Sequence, residues 1–167
     1  MKYKTITLEN FRTFYGKHKI EFPQKDGVFL IHALNGVGKS AIWHAFNYVF
    51  FGETINQKSR KKEEIIDLIS IDAKKEKEYH FSVRLEFEHE GDDYELTRRH
   101  QAKVSKSVTP KIENHFESHV HLIKKGDLIS PKDISYEIDN ILRKEISDFF
   151  IVDHEQVGDI FEALKNK

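Results

Sequence analysis

Cysteine is missing from the 167-residue chain, which removes disulfides and thiolate zinc sites and fits a reducing compartment. No apolar run approaches the length of a membrane span, and the N-terminus, MKYKTITLENF, has no signal-peptide apolar stretch. The simplest expectation is an intracellular, cytoplasmic protein with no membrane contact. Net charge is lacking too: 27 Lys and Arg stand against 28 Asp and Glu, for a formal charge of −1. No global field steers such a chain onto a polyanion, so any nucleic-acid contact must come from local basic patches. There is no internal repeat and no low-complexity tract. What remains is 33% charged and 38% hydrophobic, polar for a globular domain but well short of a disordered composition. The length suits one core of ordinary size.

The stretch around which the rest is arranged runs from Val28 to Gly52, VFLIHALNGVGKSAIWHAFNYVFFG. The apolar run Val28 to Ile31 predicts a buried strand. Ala33-Leu34-Asn35-Gly36-Val37-Gly38-Lys39-Ser40 then matches a Walker A phosphate loop, with Ala33 where the commoner form has Gly. In such a loop the glycines let backbone N–H groups turn inward onto phosphates. Lys39 reaches the β and γ phosphates, Ser40 ligates Mg²⁺, and the following helix offers its positive N-terminus to the anion. Ile42, Ala45, Phe46, Val49 and Phe50 recur at helical spacing, Trp43, Tyr48 and Phe51 spread apolar surface further, and Gly52 is placed to end the helix.

Around this unit, residues 3–9 and 17–22 alternate as half-buried strands. Glu53 to Lys62 is polar and basic, a solvated loop or a DNA-backbone contact, and Glu63 to Ile69 has a short helical pattern. Phe81, Val83, Leu85 and Phe87 alternate with polar residues, Gly91-Asp92-Asp93 turns the chain, and Tyr94 and Leu96 begin the return strand of a hairpin. Arg98 and Arg99 close it, available to phosphates or to neighbouring acids. Residues 101–118 read as loop and Val120 with Leu122 as a short strand, whose His119 and His121 read as solvated positions rather than metal ligands. Ser130-Pro131-Lys132-Asp133 is a helix start with Ser130 as N-cap, followed by the stripe Ile134, Ile138, Ile141 and Leu142. Phe149 to Val152 reads as a second apolar strand ending in Asp153-His154-Glu155-Gln156, and a last helix begins at Val157.

The order of these parts resembles the N-terminal lobe of an ABC-type ATPase head of the SMC family, close to SbcC and the coiled-coil ATPases of double-strand-break repair. It is similar above all to the DndD-like branch, through LENFRTFYGKHKIEF, LNGVGKSAIWHAFNYVFFGE and ILRKEISDFFIVDHEQV. His154 departs from that branch, which has Gly there. The resemblance implies an α/β P-loop NTPase fold with an added antiparallel β portion, spanning residues 1–167, with the coiled coil and C-terminal lobe outside this sequence. It implies ATP and Mg²⁺ as ligands. Arg12 carries over as a phosphate ligand; Asn35, Gly36, Val37, Gly38, Lys39, Ser40 and Ala41 carry over as loop positions, with Lys39 and Asp153 catalytic. Asp153 or, three positions on, Gln156 fills the Q-loop place in the Mg²⁺ shell. The partners implied are the C-terminal lobe, a second head upon ATP binding, DNA, and a nuclease or modification complex, in repair or in modification and phage defence.

Two alternatives stay open. Phe149 to Glu155 also fits a Walker B strand with Glu155 as general base, although no Ser-Gly-Gly-like signature precedes it. A self-contained P-loop enzyme such as a nucleotide or metabolite kinase would use Asp153 and Glu155. Such an enzyme alternates strands and helices after its loop, whereas this chain inserts a hairpin.

Overall fold

A computed structural model describes residues 1–25, 27, 29–32, 34, 38–54, 62–103, 108–110 and 113–147. The elements are β1 (Lys2–Phe11), β2 (Phe14–Glu21), α1 (Lys39–Phe51), α2 (Ile65–Leu68) and α3 (Ile71–Lys75). There follow β3 (His80–His89), β4 (Asp92–Ala102), β5 (Phe116–Lys124), β6 (Asp127–Leu128), α4 (Ile134–Ile141) and α5 (Lys144–Ser147). The six strands form one sheet in the order β2-β1-β3-β4-β5-β6, with every pair antiparallel.

Period-two patterning gives this sheet two unlike faces. Ile6 and Leu8 of β1, Phe81, Val83, Leu85 and Phe87 of β3, Leu96 of β4 and Leu122 of β5 are fully buried on one side. Helix α1 lies against them, and its rings interlock with theirs. Tyr48 sits 5.4 Å from Phe81 and 5.8 Å from Phe11, and Phe50 sits 5.7 Å from Phe87. Buried aromatic pairs at these separations add directional attraction to the area they remove from water. The opposite face is solvated, and there Lys17, Arg84, Thr97, Arg99 and His121 line an open cleft of about 410 Å³.

Helix α1 is fixed at both ends. At its start Gly38 adopts φ 107°, and a Cβ there would lie 2.7 Å from Thr13 Oγ1 and 3.1 Å from the Phe14 ring. Only glycine meets both the dihedral and the space. At its end Gly52 takes a left-handed φ of 71° and donates to the Tyr48 carbonyl. Arg98 reaches across from β4 with Nε donating to the Val49 carbonyl (2.7 Å) and Nη2 to that of Phe50 (2.8 Å). Its guanidinium thus meets the negative end of the helix dipole. Burial pushes its pKa below the ordinary value. Arg98 is therefore a helix cap, and neither the phosphate contact nor the acid pairing considered for it applies.

Further in, Tyr48 of α1 hydrogen-bonds through its hydroxyl to His100 Nε2, and His100 Nδ1 pairs with Ser118 Oγ at 2.7 Å. In a neutral imidazole one nitrogen donates and the other accepts, and the two hydroxyls can take the complementary roles, so this chain from α1 through β4 to β5 is satisfied with His100 uncharged. Burial, with help from the Arg98 charge, holds its pKa down to about 4. Burial likewise raises the Tyr48 phenol.

Three further expectations fail. Residues 101–118, expected as loop, are strand at both ends, Gln101 and Ala102 in β4 and Phe116 to Ser118 in β5, because each pairs across the two strands. Residues 29–32 form no strand, and Phe29, Leu30 and Ile31 are exposed, because no strand pairs with them among the described residues. Helix α4 starts one turn late: Pro131 to Asp133 form a turn, with the Asp133 N–H donating to the Ser130 carbonyl, and Asp133 rather than Ser130 is the N-cap. Ile134, Ile138 and Leu142 of the expected stripe are buried. The segments Phe149 to Val152 and Val157 onward lie outside the described residues.

The His100 contacts predict a pH dependence of stability. The unfolded imidazole takes up its proton near pH 6.5, the folded one only near pH 4, so the unfolded state binds more protons between these values. Stability is therefore full above about pH 6.5 and falls as pH drops toward 4, by on the order of 2–3 kcal/mol from this group. Denaturant titrations at pH 7, 6 and 5 should show that slope, and His100→Gln should flatten it. Gly38→Ala should lower stability by about 1–3 kcal/mol from backbone strain alone, read as a shift in denaturation midpoint. Thr13→Ala in that background should recover only part of the loss, because the dihedral stays wrong.

Candidate nucleotide-binding site

The β1–β2 turn carries Asn10-Phe11-Arg12-Thr13-Phe14, and each residue has a separate task. Asn10 bends the chain with a left-handed φ of 50°, its side-chain oxygen accepts from the Gly16 N–H at 2.8 Å, and its amide nitrogen lies 3.2 Å from His80 Nε2. Phe11 is fully buried between Tyr48 and Phe81. Arg12 is left-handed again, at φ 54°. Non-glycine residues pay conformational strain in that region, and two within three positions require strong surrounding constraints. Here the neighbouring backbone supplies them: the Arg12 N–H donates to the Leu68 carbonyl and the Ser70 N–H to the Asn10 carbonyl, both at 2.8 Å. Thr13 and Phe14 then press on Gly38.

This turn brings Thr13 and Phe14 to the beginning of α1. Lys39, the first helical residue, donates from Nζ to the Leu34 carbonyl at 2.7 Å, so the ammonium folds back over the preceding loop. Ser40 is exposed in the first turn and Ala41 is buried beneath it. No side chain caps α1 at Gly38 and no acidic residue occupies its first turn. The positive end of the helix dipole lies at this point and favours an anion there.

The Arg12 guanidinium does not face open solvent. Its Nη2 contacts the Glu63 carboxylate, which also accepts from Thr54 Oγ1 at 2.6 Å, while the Glu63 N–H donates to the Thr54 carbonyl at 2.9 Å. Thr54 is 3% exposed and the Glu63 side chain 10%. Arg12 Nε is buried with no hydrogen-bond partner among the described residues. Burial lowers the Arg12 pKa, against the pull of Glu63. Neither Glu63 nor Thr54 stands out in the sequence. They stand nine positions apart in the sequence, and only their pairing with each other and with Arg12 brings them together.

The described part of the site thus brings Gly38, Lys39, Ser40 and Ala41 together against the Thr13–Phe14 turn, while the Arg12 side chain is held by Glu63. Asn35, Gly36, Val37, Asp153 and Gln156 lie outside the described residues, as do Ala33, His154 and Glu155. The His119 and His121 rings lie 6.3 Å apart on the solvated sheet face. No group of three or more His, Asp or Glu residues is spaced to hold a metal among the described residues.

Comparison with known proteins gives the site its context. The chain is 29% identical over 109 residues to a DNA double-strand break repair Rad50 ATPase of Halobacterium salinarum, covering 65% of this chain and 11% of that protein. It is 32% identical over 113 residues to the protein of the same name from Methanosarcina acetivorans, covering 66% and 10%. It therefore spans about a tenth of the length of these relatives. The SMC head domain from Thermotoga maritima aligns with 82% of this chain and 42% of its own at 19% identity and a TM-score of 0.44. A family model described as an AAA domain matches residues 5–167. The chain belongs to that AAA domain family, with the P-loop NTPase fold, and is similar in sequence to Rad50 ATPases.

Proposed function

We propose that this chain is the nucleotide-binding lobe of an SMC-like, DNA-acting ATPase, most similar to the DndD-like branch, and that it holds ATP with Mg²⁺ at the start of α1. The observation that carries this reading is the start of α1 at Gly38, where the positive end of the helix dipole, the Lys39 ammonium directed at the Leu34 carbonyl and the exposed Ser40 occur together. Gly38 lets the Thr13–Phe14 turn pack directly on the helix start, which fixes where that end of α1 lies. Lys39 and the backbone N–H groups of residues 35–41 would hold phosphate oxygens, Ser40 would ligate Mg²⁺, and Asp153 or Gln156 would complete the metal shell. Bound Mg²⁺ supplies charge neutralisation of the phosphates during transfer.

A second lobe completes the unit in this reading. Leu30 is 80% exposed and Leu34 78%, with Phe29 and Ile31 beside them. Apolar residues so placed beside a phosphate loop suit a strand whose sheet neighbours come from another part of the longer protein. A second head would then close over the nucleotide. DNA, and a nuclease or modification complex, are the partners this function calls for, in repair or in phage defence. On the chain itself, Lys17, Arg84 and Arg99 of the open sheet cleft and the run Lys58 to Lys62 are the local basic groups available to a DNA backbone. An entirely antiparallel sheet among the described residues speaks against a kinase that folds alone.

Calorimetric titration with MgATP should show Lys39→Ala weakening binding by about tenfold or more; an unchanged affinity would remove the assignment. The 167 residues alone should hydrolyse ATP at a negligible rate, and adding the C-terminal lobe should restore turnover. Robust hydrolysis by this chain, lost in Glu155→Gln, would instead favour the self-contained enzyme.

A further inference from the structure

We infer that Glu63, steadied by Thr54, is a positioning residue that holds the Arg12 side chain and competes with nucleotide phosphate for its charge. The inference rests on the reading of Arg12 as a phosphate ligand. Its physical basis is the unequal hydrogen bonding of a half-buried cation. A guanidinium has five N–H donors, yet one carboxylate meets it, at Nη2, while Nε is buried and unsatisfied among the described residues.

The backbone cannot shift to improve this. The Arg12 N–H is tied to Leu68, the Asn10 carbonyl to Ser70, and the residue after Arg12 is wedged against Gly38. The side chain is thus delivered from a rigid, left-handed position within a residue of the helix start. A second anion arriving at the phosphate loop meets a cation whose unused donor edge is already desolvated.

Glu63 has two opposed effects there. It compensates the buried charge while no nucleotide is bound, and removing one partner of a buried ion pair is strongly destabilising. It also cancels the field that Arg12 would present to a phosphate. Neutralising Glu63 without changing its shape separates these effects. The amide of Glu63→Gln keeps an oxygen to accept from Arg12 or Thr54, so the guanidinium stays in place with its charge uncompensated. That variant should be less stable without nucleotide and should bind MgATP more tightly, by about three- to tenfold. Its denaturation midpoint should rise more on adding MgATP than that of the unmodified chain, because nucleotide restores the missing countercharge. Glu63→Ala, which also removes the acceptor, should bind more weakly than Glu63→Gln.

The test is a double-mutant cycle with the full chain, reading MgATP affinity by calorimetry and stability by denaturation for Arg12→Ala, Glu63→Gln and the pair. Arg12→Ala should weaken binding, and Glu63→Gln should have no effect in the Arg12→Ala background. If Arg12→Ala leaves affinity unchanged, the reading of Arg12 as a phosphate ligand fails. If Arg12→Ala weakens binding but Glu63→Gln binds like the unmodified chain or more weakly, the role of Glu63 fails while that reading stands. Should Glu63→Gln not fold, Glu63→Asn, uncharged and still carrying an amide oxygen to accept from Arg12 or Thr54, takes its place with a gain in the same direction, and absence of that gain likewise overturns the inference.

Discussion

The hydrogen-bonded fork from Arg98 to the carbonyls of Val49 and Phe50 is the contact on which the placement of the site depends. It ties the end of α1 to the central strands, and the Gly38 contact with Thr13 and Phe14 ties its start to the β1–β2 turn. A helix of this length, roughly 20 Å at 1.5 Å per residue, gains axial position from these end contacts as well as from its aromatic pairs with the sheet. With both ends fixed, Lys39 and Ser40 emerge at a defined point against the Thr13–Phe14 turn. Hydrophobic burial supplies most of the energy, and these two polar and steric contacts supply the register.

The Tyr48–His100–Ser118 chain adds a third restraint, perpendicular to the helix. It joins α1 to β4 and β5 through groups that would each be costly to bury alone. Phe81 stacks on the His100 ring at 5.1 Å, so the imidazole is held on its face as well as at both nitrogens. Arg98 and His100 lie on the same side of β4, and one strand therefore sets both the axial and the lateral position of the phosphate-loop helix.

Much of this was legible in the residues, and where it was not, the reason is distance along the chain. Alternation revealed β1, β2, β3 and β4, and the helical spacing after Lys39 revealed α1 together with its stop at Gly52, because such signals are local. The apolar run Val28 to Ile31 misled because burial needs a partner as well as a pattern; the described residues of that run are exposed. The role of Arg98 was hidden because its acceptors are backbone carbonyls nearly fifty positions earlier, which leave no side-chain signature. Within the site, Gly38, Lys39 and Ser40 were readable from motif spacing. Glu63 was not, since a carboxylate in a charged loop looks the same whether it faces water or a buried arginine.

One further consequence follows from how the segment after α1 is tethered. Glu63 returns to Thr54 through both backbone and side chain, and residues 68–70 zip onto Asn10 to Arg12. Thr54 and Glu63 therefore form a closed pair, and the backbone on either side of the sequence between them is tied independently of its length. Because loop-closure entropy grows only logarithmically, doubling the number of residues between two such points costs about 0.6 kcal/mol. The number and charge of residues between Thr54 and Glu63 can thus vary while Arg12 keeps its partner, so related sequences can differ there without disturbing the arginine.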